Sequence, residues 1–221
     1  MNSIPKQIPS ELEDIFEKLR WEIAILHLRW TLYRQLFGTN KKRIELLNKT
    51  APLFFNQLHF VLLEDTILGL ARLTESRVSS GHENLVLKQL WEGIDSSKYP
   101  NLSDNLNNRL KTVGKKCGPF RTYRHKIFAH RDLKIALSRK KNSLPGISKK
   151  MVKDALDEIR MFMNEFQRFF YDSETGYEHC VSPGDADTLV FALKKAFEYD
   201  VLKRDGKIPF DHLRKSKYWT C

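Results

Sequence analysis

Residues 120–134 read FRTYRHKIFAHRDLK and place five Lys or Arg, two His and one Asp within fifteen positions. Two of these residue types have chemistry that bears on a phosphate. A guanidinium is a planar, permanently charged fork that matches phosphate oxygens two at a time and holds charge developing on phosphorus. An imidazole titrates near neutral pH and moves a proton in either direction. Arg124 supplies the first and His130 the second. The same residue types also decorate the solvated face of any basic helix, so the stretch reads either as a phosphate site or as ordinary surface.

A helical wheel separates the two classes of residue. With Phe120 at zero and about 100° per residue, Ile127 falls at about −20°, Tyr123 at about −60° and Phe128 at about +80°. These four are expected to form a buried stripe. Arg124 falls at about +40°, inside that arc, and His130 at about −80°, at its edge. His125, Lys126 and Ala129 lie opposite. No acid stands three or four positions from Arg124, where Phe120, Arg121, Ile127 and Phe128 are found. A guanidinium leaning into an apolar face needs an anion from elsewhere. A carboxylate of another helix, such as Glu64 or Asp65, would serve, and so would a phosphate ligand.

The charge of the whole chain points the same way. The 221 residues carry 38 Lys or Arg and 27 Asp or Glu, a net charge of +11. Between Arg109 and Lys153 there are fifteen cations and one acid, Asp132, so this tract is +14 and the rest of the chain is −3. A single basic tract suggests an anionic partner, either nucleic acid or an acidic membrane surface, with a merely solubilising surface as the plain alternative. The length suits one domain with a core that needs no disulfide or metal. Cys117, Cys180 and Cys221 are odd in number and widely spaced, which fits a reducing compartment and argues against a zinc site. The N-terminal MNSIPKQIPSELED has no apolar run of a signal peptide, and no stretch approaches the ~20 apolar residues of a membrane span. A cytoplasmic protein without membrane attachment is expected.

The elements that must position Arg124 and His130 read as helices almost throughout. Ser10 and Glu13 form an S-x-x-E capping pattern. Leu12, Ile15, Phe16, Leu19, Ile23, Leu26, Trp30, Tyr33 and Phe37 follow at spacings of three and four, predicting one long helix to about Gly38. A short helix over about 41–48 comes next. Pro52 suits the first turn of another helix, which runs to about Thr74 and is apolar on nearly every side, as the central and most buried helix would be. SRVSSGHEN reads as a loop, LVLKQLWEGI as a short helix and DSSKYPNLS as a second loop, with Ser103 as a possible cap. A helical pattern covers Asp104 to His130, with a kink or fresh start expected at Pro119. SRKKNSLPGIS is a basic connector. Ser148 opens an amphipathic helix, SPGDAD caps a further one to about Tyr199, and the tail is expected on the surface. No alternating run makes a persuasive strand. The expected fold is an all-α antiparallel helical bundle, a single domain over 1–221 with its core at about 10–172 and a C-terminal helical extension at about 183–221.

YRHKIFAHRD resembles the signature of the HEPN superfamily, an Arg usually followed by a polar residue, then a His after four to six intervening positions. Here these are Arg124, His125 and His130, with five residues between. The AHRD ending is common in that superfamily, and the long first helix followed by PLFFNQLHFVLLEDTILGLARL is similar to its AbiU-type abortive-infection branch. The resemblance spans about 10–172. It implies a metal-independent endoribonuclease with no cofactor and no metal ligands, in phage defence or a toxin–antitoxin system. It also implies a homodimer that joins two motifs, RNA as the partner, and a cognate antitoxin protein as a further one. The ribose 2′-OH of RNA is the nucleophile, Arg124 holds charge and His130 acts as acid or base. In one helix, six positions set these side chains about 9 Å apart along the axis and about 120° around it, poor geometry for a shared phosphate. A two-fold axis relieves this by facing each motif with its mate.

His125 stands where the superfamily more often has Asn. Asp132 stands where some members have a Tyr that a partner nucleotidyltransferase modifies, so that control is not expected here. Asp132 either orients His130 or begins a loop, and Tyr123 either stacks on a base or packs in the core. Lys111, Lys115, Lys116, Arg121, Lys126, Arg131, Arg139, Lys140 and Lys141 are candidates to track an RNA backbone. His27, His59 and His82 read as packed or surface residues, and Trp21, Trp30, Trp91 and Trp219 as core or tail packing. Two other readings stand beside the nuclease. One is the same fold binding RNA or a partner protein without cutting. The other is a structural bundle, which predicts a carboxylate salt-bridged to Arg124.

Overall fold

The computed structural model describes residues 8–79, 81–129, 146–179, 184–209 and 211, with the backbone alone for 127–129. The chain is an all-α bundle: α1 (Ser10–Phe37), α2 (Lys41–Thr50), α3 (Pro52–Arg72), α4 (Lys88–Glu92), α5 (Pro100–Tyr123), α6 (Lys149–Tyr171) and α7 (Ala186–Arg204). A π-helical turn, Arg124–Ala129, continues α5, and a 3₁₀ turn, Tyr177–His179, follows α6. The one departure from helix among the described residues is a hairpin in the segment expected to be only a loop. Its strands, β1 (Val78–Ser79) and β2 (His82–Glu83), are two residues each and turn at Gly81, whose φ of 81° suits glycine.

Local chemistry explains most helix starts. Ser148 accepts from the Met151 N–H and Asp185 from the Thr188 N–H, each satisfying a donor that the first turn leaves open. Pro100 occupies the first turn of α5, where its missing N–H costs nothing. The helix therefore begins ahead of Ser103, which is not its cap. The Ser10–Glu13 box is not formed either. Ser10 is already helical, the Pro9 carbonyl accepts from Leu12 and Glu13, and the Glu13 carboxylate accepts from the Tyr171 hydroxyl.

Contacts divide the chain into two compact units. The first, Met1–Thr31 with Phe60–Cys180, carries Arg124. Within it α5 and α6 run antiparallel: Asn105 bonds Glu165, Arg109 meets Glu158 and Lys116 pairs with Asp154. Phe16 stacks on Phe166 at 5.1 Å, and Arg29 pairs with Asp65 at 2.8 Å. Leu26 lies so close to Gly69 that a Cβ there would approach Leu26 Cδ1 to 2.7 Å. The core gathers Phe16, Leu19 and Ile23 with Leu106, Phe120, Ile159, Phe162 and Phe166. The second unit, Leu32–His59 with Val181–Cys221, is held by Arg43–Asp187 at 2.5 Å, Gln35–Asp185 at 2.6 Å and the Tyr33 hydroxyl on His59 at 3.1 Å.

Two expectations about burial fail. α3 is not the most buried helix, since Leu53, Phe54, Phe60 and Val61 are each more than half exposed. Its composition is apolar all round, but its buried side chains are confined to Phe55 near its start and to Thr66, Ile67, Leu70 and Ala71 near its end. By length and composition alone it could also cross a membrane, contrary to the sequence reading, with 28% of its apolar window buried. Trp21 is 66% exposed rather than packed.

Candidate functional site

Arg124 is the first residue of the π turn, and its backbone N–H still closes on α5 through the Phe120 and Arg121 carbonyls. Pro119 was expected to bring a kink or a fresh start, and there is no fresh start. α5 instead runs through it, because Cys117 and Phe120 on either side are completely buried and packing outweighs the lost donor. The Arg121 guanidinium donates to the Gly114 carbonyl at 2.9 Å, supplying a partner to the backbone just upstream. The π turn changes the angular order expected from the wheel. Its bonds join residues five apart, so positions after Arg124 do not keep α-helical angles. The calculated separation of about 120° to His130 falls on a residue outside the described ones.

Glu75, in the turn that ends α3, supplies the anion that Arg124 requires. The sequence pointed to Glu64 or Asp65. Asp65 is taken by Arg29, and Glu64 is exposed. Arg124 and Glu75 retain 35% and 18% of their side-chain exposure, so the pair sits at a rim and solvent reaches it. One turn earlier Arg121 donates to the Thr74 hydroxyl at 2.9 Å. Two arginines of α5 and its continuation thus clamp consecutive residues at the end of α3. Beneath them Cys117 is sealed, and burial pushes its thiol up to about 12 against the opposing pull of Arg121 and the Thr74 hydroxyl.

The Arg124–Glu75 pair borders two cavities. One, of about 1060 Å³, is a groove whose lining includes Arg77, Lys88, Arg121, Arg124 and His125. The other, of about 300 Å³, lies against α1 and α3. Arg77 and Lys88 were not singled out from sequence. Both pair with Glu92, at 3.5 and 2.5 Å, and face the groove only because the hairpin and α4 fold beside α5. A run of charge in the linear chain could not have shown this.

Of the other sequence candidates, Tyr123 is partly buried and His125 is exposed on the groove. Lys111, Lys115 and Lys126 are exposed and form no ion pair among the described residues. Lys116 is paired with Asp154 at 3.2 Å. Arg121 is committed to Thr74 and Gly114 rather than standing as a surface charge. His130, Arg131, Asp132, Arg139, Lys140 and Lys141 lie outside the described residues.

An all-α bundle whose arginine, Arg124 of the Arg–x5–His sequence, stands at the rim of a groove lined by further cations fits a HEPN-type domain. The family model AbiU2, a HEPN family of the abortive-infection type, matches residues 9–189, and the chain belongs to that family. No curated protein and no solved structure matches the chain.

Proposed function

We propose that the protein is a metal-independent endoribonuclease of an abortive-infection system. The observation that carries this reading is the position of Arg124, partly open to solvent at the rim of a groove lined by further cations. The groove takes the RNA backbone through Arg77, Lys88 and Arg124. A scissile phosphate displaces Glu75 from the guanidinium, which then holds the charge that builds on phosphorus. The 2′-OH attacks phosphorus, the bond from phosphorus to the 5′-oxygen of the next nucleotide breaks, and His130 moves a proton at one of the two oxygens, leaving a 2′,3′-cyclic phosphate and a 5′-hydroxyl end. The nucleophile is internal to the substrate, and a cation and an acid–base suffice for the rest. Two copies of the chain join their motifs across a two-fold axis, and an antitoxin protein is a fitting regulator of such an activity.

Purified protein incubated with RNA in EDTA is expected to cut it. Arg124→Ala and His130→Ala should each slow cutting by about 10² or more, with His130→Ala still binding RNA. Cleavage by the wild type that survives both substitutions would reject the assignment, as would a strict monomer that cuts at full rate.

A second reading, a structural bundle with no nucleic-acid role, is the one for which a carboxylate on Arg124 was expected, and Glu75 supplies it; that reading predicts no shift of RNA in any gel. An arginine already neutralised is what a non-catalytic HEPN module, binding RNA or a partner protein, would also have. Such a module predicts RNA retention in a gel with no cut product at any protein concentration.

A further inference from the structure

The smaller cavity, of about 300 Å³, is not used by the phosphate chemistry above, although it shares the Arg124–Glu75 wall with the groove. Leu26, Leu73 and Leu85 give it apolar walls. Its polar lining sorts by what is already engaged. Arg29 is paired with Asp65 and Arg124 with Glu75. Asn84 spends its amide N–H on the Ser76 carbonyl at 3.0 Å. Glu22 and Arg72 face the same cavity, yet neither forms an ion pair among the described residues, with the other or with anything else. One carboxylate and one guanidinium without ion-pair partners among the described residues thus line a space at the small end of ligand-binding cavities.

A carboxylate only accepts hydrogen bonds and a guanidinium only donates them. A flat group that suits both must show two adjacent donors on one edge and two adjacent acceptors on another. Guanine does: N1–H and the N2 amino group stand side by side, and O6 and N7 form the acceptor pair that arginine reads in a bidentate manner. Adenine and cytosine set a ring acceptor beside their amino group, and uracil flanks its single N–H with carbonyls. Each would put a lone pair against Glu22. The apolar walls accept the faces of the ring.

We infer that this cavity is a guanine subsite, with Glu22 accepting from N1–H and N2–H and Arg72 donating to O6 and N7. The guanine is either a nucleotide of the RNA lying in the neighbouring groove, which rests on the ribonuclease reading, or a free guanine nucleotide, which does not.

Calorimetric titration of the full chain with 5′-GMP, 5′-AMP, 5′-CMP and 5′-UMP in EDTA tests the subsite without requiring cleavage. GMP should bind at least tenfold tighter than the other three. Glu22→Gln should abolish that preference, and Arg72→Gln should weaken GMP at least tenfold. Glu22 and Arg72 are both exposed, and unchanged circular dichroism of the variants verifies folding. Equal binding of the four nucleotides, or a preference untouched by Glu22→Gln, overturns the inference. Mapping cut ends separates the two sources: cuts clustered beside guanosine, and dispersed by Glu22→Gln, place the guanine in RNA. GMP selectivity with no guanine bias at the cuts places it on a free nucleotide. Selective GMP binding by a protein that never cuts RNA rejects the nuclease reading alone, while cutting without GMP selectivity rejects the subsite alone.

Discussion

At the scale of single residues, Glu75 governs how Arg124 meets an anion. The two are joined at a rim, where an ion pair contributes modestly to stability. Glu75→Gln removes the competing charge and keeps the shape. It should cost about 1 kcal/mol of stability and tighten RNA binding, measured by thermal denaturation and by filter binding at fixed salt. Weaker RNA binding in this variant would show that the carboxylate orients the guanidinium for its ligand rather than competing with it. The need of Arg124 for a long-range anion was legible in the sequence, because no acid lies within a helical turn of it. The identity of that anion was not. Glu75 stands in TESR, outside any periodic pattern, and reaches Arg124 across 49 residues by the path of the hairpin and α4.

At the scale of elements, helix ends and turns carry energies that the sequence signals well. Pro52, Ser148 and Asp185 open helices where their chemistry predicts, since a cap depends on three or four adjacent residues. Signals that depend on neighbours far away were misread. An apolar composition put α3 at the centre, but exposure depends on what packs against each face. A proline suggested a kink or a fresh start at 119, but α5 does not start afresh there, with Cys117 and Phe120 buried on either side. The turn after α6 shows how firmly one side chain can hold an element. Asn164, almost wholly buried, donates to the Thr175 carbonyl at 3.1 Å and accepts from the Thr175 N–H at 3.0 Å. Asn164→Ala leaves both backbone groups without that partner and should cost about 2 kcal/mol in urea unfolding. A change within a few tenths of this figure's error of zero would mean that water replaces the amide.

At the scale of the whole molecule, the first unit encloses an ionisable group that ties its stability to pH. His27 is buried on α1, and its Nε2 has no hydrogen-bond partner among the described residues. Burial pushes its pKa down to about 4 and Arg160 adds to this, while Glu178 and Asp157 pull the other way and are outweighed. The unfolded chain therefore takes up a proton below about 6.5 that the folded chain refuses. Stability is full above that pH and declines as pH falls towards 4, by about 3 kcal/mol at the end of the window. His27→Gln should flatten the decline between pH 6.5 and 4 in thermal scans, whatever it does to stability at neutral pH. An unaltered acid limb would assign the loss to other groups.

The π turn at Arg124 gives the motif length a tolerance. Such a turn amounts to an α-helix that has swallowed one additional residue, with the bulge confined to a single loop of the coil. Removing a residue between Arg124 and His130 would let the ladder close in the ordinary register without rebuilding α5, and the register of everything downstream would shift only once.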